Sequence, residues 1–338
     1  MNFKKALRQS IILALLMGFL LAACTPQTAA PAIQTAAPTE EQVDTVIAAE
    51  TTEPAATGTE TEIPSPTSTP DQRLNPEDWQ NWPVIPTVSA AARAIYEAGL
   101  EKGNDPDHFS KVGDCQNITT YFLAAFDVPG FYILGDPYAY LQEAIDHFSG
   151  SWSRESAAVH GGMNVASVLS PFWAADDERC ESGESPLDCE LRLYQPSIVL
   201  ISMEESWGSN NKVENYEKYM RQIIETVIDF GALPILSTKA DNIEGNYAIN
   251  AVNARLAYEY DLPLWNFWRA VQSLPNQGLD EGGFHLTMSG LEIPNDFSNS
   301  RNMRQGWPNR NLTALQVIDA VWRQLNDLPV TPAPEFVD

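Results

Sequence analysis

The thiol of Cys115 and the imidazole of His285 are the two side chains of this sequence best suited to acyl-transfer chemistry. Cys115 follows Gly113 and Asp114 at the end of the segment FSKVGD, and His285 lies far along the chain in the segment GGFHL. A thiolate is a good nucleophile, and a neighbouring imidazole lowers the pKa of the thiol and takes its proton. Since a lone cysteine is usually a small buried apolar residue, this interpretation requires a fold that brings the two side chains together.

The hydrophobic pattern predicts the elements that would position them. Apolar runs that suit strands buried on both faces alternate with amphipathic helical patterns. The predicted strands are FSKVGD, Pro196–Met203, Ala232–Thr238 and Asp261–Phe267, and the predicted helices are Ser89–Glu101, Thr119–Phe126, Val213–Phe230, Tyr247–Tyr258 and Leu312–Leu325, the last on the outside. This alternation predicts an α/β fold with a parallel central sheet, whose ligands lie beyond the carboxyl ends of the strands. Cys115 follows one such end.

Three segments resemble the blocks of the SGNH (GDSL-type) hydrolases, a family of esterases and lipases. Gly113-Asp114-Cys115 stands where the family has Gly-Asp-Ser after its first strand, Val159–Met163 resembles the second block, and Gly282–Leu286 resembles the last block, which supplies a histidine. The resemblance spans nearly all of the predicted folded part. It implies a three-layer α/β/α sandwich of flavodoxin-like type, with Cys115 as nucleophile and His285 as base.

The resemblance also implies an oxyanion site made by the backbone N–H groups of Cys115 and Gly162, with Asp114 beside it, and a small-molecule or glycan ester as substrate. No cofactor is predicted. Lys239 and Asp241, in the segment STKADN after a later strand, would overlook the same crevice and are candidate ligand contacts.

The sequence departs from the family pattern at three points. Cysteine replaces serine, and Gly282 occupies the position of the acid that orients the histidine. Asp280 or Glu281 could take over that role only if the loop bends to bring one of them round. In the third block, Ser206 replaces an asparagine that serves the oxyanion, unless the displaced segment 208–211 supplies it. Loss of one oxyanion donor costs about 100- to 1000-fold in rate.

The N-terminal region has the features of an exported lipoprotein. Residues 1–23 combine basic residues with an apolar run too short to span a bilayer, which is typical of a signal peptide. Leu21-Ala22-Ala23-Cys24 resembles the lipobox, whose cysteine is acylated. Residues 24–75 are acidic and rich in Thr, Ala and Pro, a composition that predicts a disordered tether. A hydrolase-like domain over 76–328 and a tail over 329–338 complete the expected organisation. We expect lipid on Cys24 to hold the protein at the bacterial cell envelope, outside the cytoplasm.

Composition and the remaining cysteines limit the choice of function. The formal net charge of −25 argues against nucleic acid as a partner, and no glycine-rich nucleotide-binding loop follows a strand. Cys180 and Cys189 close a short polar loop and are predicted to form a disulfide in an oxidising compartment. The scattered histidines predict no metal site. His108, His147 and His160 are interpreted as structural or surface residues, and the oligomeric state is not predicted.

Two functions follow from these observations. The first is an extracytoplasmic ester hydrolase that uses Cys115 and His285. The second, motivated by the three departures, is a catalytically impaired module with the same crevice that binds an envelope glycan or another extracellular ligand.

Overall fold

The computed structural model of the protein describes residues 71, 73–203 and 212–332. The predicted signal peptide, Cys24 and nearly all of the predicted tether lie outside these residues, as do the segment 204–211 and the chain end from 333. Among the described residues, no helix is long and apolar enough to cross a membrane.

The described part is an α/β fold built on a parallel four-stranded sheet with the strand order β1-β3-β4-β5. A separate pair of short strands, β2 and β6, is also parallel. The strands are β1 (Asp105–Gly113), β2 (Tyr132–Ile133), β3 (Pro196–Ser202), β4 (Leu233–Ser237), β5 (Leu264–Trp265) and β6 (Asn295–Asp296). The helices are α1 (Ala90–Lys102), α2 (Gln142–His147), α3 (Pro186–Tyr194), α4 (Val213–Phe230), α5 (Ala248–Tyr260), α6 (Phe267–Ala270) and α7 (Gly306–Leu325).

The central strands β3 and β4 are buried, and their sequences are largely apolar. Every residue of β3 and of β4 is buried, so both faces of these strands are covered. The predicted strands and the helices α1, α4 and α5 are confirmed within a few residues, although β5 has only two residues. It is shorter than predicted because Asp261 adopts a left-handed conformation at the end of α5 and α6 begins at Phe267.

The helix predicted over Thr119–Phe126 is wrong. The chain forms instead two short 3₁₀ turns, Cys115–Asn117 and Ala124–Asp127. Leu123 has a φ of 67°, which no α-helix accommodates, and its backbone N–H donates to Asn311 Oδ1 at 2.9 Å. The tertiary contact therefore decides the local conformation here.

The last helix, α7, was expected on the outside and is instead buried on nearly all sides. Segments near the N-terminus of the described region cover it: Gln324 accepts from the Val88 backbone N–H at 2.9 Å and donates to the Pro86 carbonyl at 3.2 Å. Its N-terminal end reaches the turn after β1.

The predicted disulfide between Cys180 and Cys189 is confirmed, and Cys115 is a free cysteine. Cys189 lies within α3 and is fully buried, so the bridge ties the preceding loop to the sheet's flank. The residues just before Cys180, Asp176 to Arg179, line a cavity described below.

Candidate functional site

The turn that carries Cys115 is fixed to the end of β3. The fully buried Asp114 side chain accepts a hydrogen bond from the Gln116 backbone N–H at 3.2 Å, and Asn117 Nδ2 donates to the Ser202 carbonyl at 2.6 Å. The approach of Asn117 requires a glycine at 113, since a Cβ there would lie 1.9 Å from Asn117 Nδ2. The Gly-Asp pair thus allows the turn to pack tightly at the carboxyl edge of the sheet.

Arg310, at the start of α7, holds the same turn from a second side. It is buried, and it donates from Nε to the Gln116 carbonyl at 3.2 Å and from Nη2 to Ser202 Oγ at 2.5 Å. Its guanidinium lies about 5 Å from the centres of three buried rings, those of Phe122, Trp265 and Phe267. A planar cation enclosed by rings in this way has little freedom to move, which fixes the position of the turn.

The segment that contains Gly162 runs beside the end of β1. Gly113 donates its backbone N–H to the Ala158 carbonyl at 3.0 Å, and the His160 N–H donates back to the Gly113 carbonyl at 3.4 Å. Gly162 is exposed and has a φ of 83°, a conformation that favours glycine. Within the described part of the chain, the N–H groups of Cys115 and Gly162 donate to no acceptor.

The His285 loop folds back on itself so that Asp280 faces the imidazole. Leu279 pairs with Leu286 across the loop, and the Asp280 backbone N–H donates to the His285 carbonyl at 2.8 Å. Gly283 makes the reversal with a φ of 68°. Asp280 Oδ2 lies 3.9 Å from His285 Nδ1, which is an ion-pair distance rather than a hydrogen bond.

Of the two candidate acids, only Asp280 lies beside the imidazole. Glu281 is exposed and has no ion pair among the described residues. A Cβ at Gly282 would lie 3.2 Å from Asp280 Oδ1, so the glycine leaves room for the Asp280 carboxylate. The loop therefore bends so that Asp280 lies beside the imidazole of His285.

The two halves of the candidate site are joined by a hydrogen bond. Gln116 Nε2 donates to the Phe284 carbonyl at 3.4 Å, which joins the residue after Cys115 to the residue before His285. The Cys115 thiol is partly buried, whereas the His285 side chain is 61% exposed. No hydrogen bond joins this thiol and this imidazole in the described structure. The fold therefore brings the segments together without placing the two reactive groups in contact.

Lys239 follows β4 at the same edge of the sheet, but its ammonium is enclosed. Its Nζ lies 2.7 Å from Asp241 Oδ1 and 2.6 Å from Glu244 Oε2, and its side chain is 2% exposed. Burial alone lowers the pKa of Lys239, but the two carboxylates outweigh it and hold the pKa above its ordinary value. In this arrangement Lys239 and Asp241 stabilise the loop after β4 and do not face a ligand.

Several candidate residues lie outside the described residues, namely Ser206 with the segment 204–211, and Cys24. His108 stacks on Tyr194 and His147 stacks on Trp322, which agrees with structural roles. The described residues bring one set of possible metal ligands together, Cys180, Glu184 and Cys189, but its sulfur atoms are joined in the disulfide.

The sequence interpretation missed a cavity of about 690 Å³ beside the Gly162 segment. His160, interpreted as structural or surface, lines it together with Trp173 and several acidic side chains. The signal in the sequence was the aromatic pair in PFWAADDER, but nothing in that segment indicates which part of the fold it faces. Comparison with protein-family models and with curated proteins finds no match to this chain.

Proposed function

We propose that the protein is an ester hydrolase of the SGNH (GDSL) type, with the three-layer α/β/α fold of that family, in which Cys115 is the nucleophile and His285 the general base. The observation that carries the proposal is the contact between Gln116 and Phe284, because it joins segments 168 residues apart. Cys115 and His285 directly flank the two ends of this contact. The N–H groups of Cys115 and Gly162, which donate to no acceptor among the described residues, and the carboxylate of Asp280 support the same assignment.

In the proposed reaction, His285 takes the proton of the Cys115 thiol and the thiolate attacks the ester carbonyl carbon. The N–H groups of Cys115 and Gly162 donate to the oxyanion that forms. The C–O bond then breaks, and His285 returns the proton to the leaving alcohol, which leaves a thioester on Cys115. Water, deprotonated by His285, hydrolyses the thioester and restores the thiol.

The reaction requires the imidazole to move onto the thiol when substrate binds. Two adjacent glycines, Gly282 and Gly283, lie within the loop that carries His285, and that side chain is mostly exposed. Catalytic hydrogen bonds are often long without substrate and shorten in the complex. Asp280 would then orient the imidazole and stabilise its charged form.

We place this activity at the bacterial cell envelope outside the cytoplasm, with the domain attached to the membrane by lipid on Cys24. The lipobox-like sequence and the disulfide support this location, since disulfides persist in oxidising compartments. Fractionation tests it: the full-length protein should sediment with membranes and Cys24→Ala should not. Equal sedimentation of both would contradict the anchor.

The activity is tested on the full-length protein with p-nitrophenyl esters of short acids. We expect turnover that is abolished by Cys115→Ala and by His285→Ala, because each removes a group that makes or breaks a bond. His108→Ala is the matched control, since that histidine lies at the other end of β1, and it should retain turnover. Unchanged hydrolysis by Cys115→Ala would reject the mechanism.

A second function is favoured by one observation, the lack of a hydrogen bond between the described Cys115 and His285 side chains. In that case the crevice binds an envelope glycan or another extracellular ligand without cleaving it. The full-length protein would then show no turnover but a saturable rise in melting temperature with a glycan. Clear turnover without any glycan-dependent shift would reject this alternative.

A further inference from the structure

The cavity of about 690 Å³ adjoins the proposed reaction site without containing its reactive groups. One wall is the segment Ile118–Thr120, which directly follows the Cys115 turn, and another is the segment Val159–Gly161, which runs beside the end of β1. A ligand held here would lie next to Cys115 while leaving the thiol accessible. This position suits the part of a substrate that is not itself cleaved, so the inference below rests on the proposed function.

The outer wall of the cavity exposes aromatic rings. Phe172 and Trp173 belong to the short 3₁₀ turn Pro171–Trp173, and they are 84% and 39% exposed. The His160 ring lies edge-on to Trp173, with 5.5 Å between the ring centres. Most other large apolar side chains of the described fold are buried. Rings left in water at the mouth of a cavity indicate a surface that a ligand covers.

The charges that line the cavity are mainly negative. Glu155, Asp176 and Glu178 form no ion pair among the described residues, whereas Arg179 is already paired with Asp177, with Nη2 and Oδ2 2.6 Å apart. Arg179 also donates to the Glu155 carbonyl at 2.9 Å. These carboxylates alone would be an ordinary solvated cluster. Together with the exposed rings and the volume of the cavity, they disfavour anions and favour cations.

We propose that this cavity binds a positively charged nitrogen of the substrate, an ammonium or quaternary ammonium group. The rings of Trp173 and Phe172, which line the cavity, can attract a cation through their quadrupoles, and Glu155, Asp176 and Glu178 supply the opposite charge. The substrate class that follows is an ester whose alcohol or acyl part carries a cationic nitrogen.

The first test compares two esters of equal shape that differ only in charge, acetylcholine and 3,3-dimethylbutyl acetate. With the full-length protein, kcat/KM should be about tenfold higher for the cationic ester, mainly through a lower KM, because a ring contact with a partly desolvated cation is worth about this factor. Trp173→Ala and Glu178→Gln should each remove most of this preference. Glu97→Gln, an exposed acid on α1, is the matched control and should keep it. Equal kcat/KM for the two esters would overturn the proposal.

The second test needs no turnover and separates this inference from the proposed function. The methyl NMR signal of tetramethylammonium should broaden when the full-length protein is added, and the effect should saturate. Trp173→Ala should abolish this broadening. Such binding without ester hydrolysis would reject the hydrolase and retain the cation site. Hydrolysis without tetramethylammonium binding would reject the cation site and retain the hydrolase. Saturable binding of neutral methyl glycosides in place of the cation would also overturn the cation site.

Discussion

Among the described residues, Asp280 is the acidic side chain that lies beside the imidazole of the proposed catalytic base. Its Oδ2 lies 3.9 Å from His285 Nδ1, and its other oxygen, Oδ1, is buried without a partner in the described structure. A carboxylate with one unsatisfied oxygen can gain a hydrogen bond when the imidazole moves and becomes charged. The family's usual position for this acid is Gly282, so the carboxylate reaches the imidazole from two residues earlier.

Asp280→Asn should lower kcat/KM about tenfold, because the amide cannot stabilise the charged imidazole although it has the same shape. The loss should be smaller than in a serine enzyme, since a thiol needs less activation by the base. Glu281→Gln is the matched control and should change kcat/KM by less than about twofold, because Glu281 is exposed and, among the described residues, forms no ion pair with His285. Steady-state kinetics on p-nitrophenyl acetate measures both. An equal loss in the two variants would remove Asp280 from its assigned role.

At the scale of elements, the contact between the end of α1 and the end of α4 controls how the helices pack on the sheet. An ideal Cβ on Gly99 would lie 1.8 Å from the Gly231 carbonyl oxygen. Gly231 itself has a φ of 99° and ends α4. The two glycines therefore allow backbones to approach at a distance that no larger residue permits.

Gly99→Ala should destabilise the protein by about 2 kcal/mol despite the better helix propensity of alanine, since the overlap outweighs a gain of about 1 kcal/mol. Gly290→Ala is the matched control: its φ is not positive and no heavy atom lies within 4 Å of its ideal Cβ, so its free energy of unfolding should change by less than about 1 kcal/mol. Chemical denaturation of the full-length variants measures both values. A Gly99→Ala variant as stable as the control would mean that the helices separate at no cost.

The elements that sequence predicted well are those that a local apolar pattern determines. The strands β3 and β4 and the helix α4 have continuous patterns, and their bounds follow from these patterns. The helix predicted over Thr119–Phe126 is wrong because Leu123 is held by Asn311, a residue far away in sequence. The roles of Arg310 and Trp173 were missed for the same reason. Each role depends on contacts with segments that are distant in sequence, and local sequence patterns do not indicate these contacts.

At the scale of the whole molecule, the buried Lys111 makes stability depend on pH. It lies on β1, is 1% exposed, and its Nζ donates only to the Trp152 carbonyl at 3.0 Å and, weakly, to Thr119 Oγ1 at 3.4 Å among the described residues. Burial lowers the pKa of Lys111 from 10.5 to about 7. Nearby Glu190, Asp127 and Glu155 favour the charged form and Arg154 opposes it, but burial outweighs their sum.

The lowered pKa of Lys111 determines in which direction, and over which pH range, the free energy of unfolding changes. Between pH 7 and about 10.5 the unfolded chain holds a proton on Lys111 that the folded chain has released, so the free energy of unfolding rises with pH. Asp319 titrates at lower pH, because burial raises its pKa from 3.8 to about 6. Its contribution to the free energy of unfolding therefore falls as the pH rises from about 4 to about 6. The two effects can therefore be measured apart.

The free energy of unfolding of the full-length protein should rise by about 2 kcal/mol between pH 7 and pH 9 through Lys111. Lys111→Met keeps the volume and removes the titration, so it should be more stable than the wild type at pH 7 and lose this rise. Lys102→Met is the matched control, because Lys102 is exposed at the end of α1, and it should keep the wild-type slope. Urea denaturation at several pH values measures the slopes. A buried ammonium that found a carboxylate on folding would keep its proton in both states between pH 7 and pH 9 and would give no slope there. A wild-type slope near zero would therefore show that Lys111 is charged in the folded protein, and an unchanged slope in Lys111→Met would show that the rise does not come from Lys111.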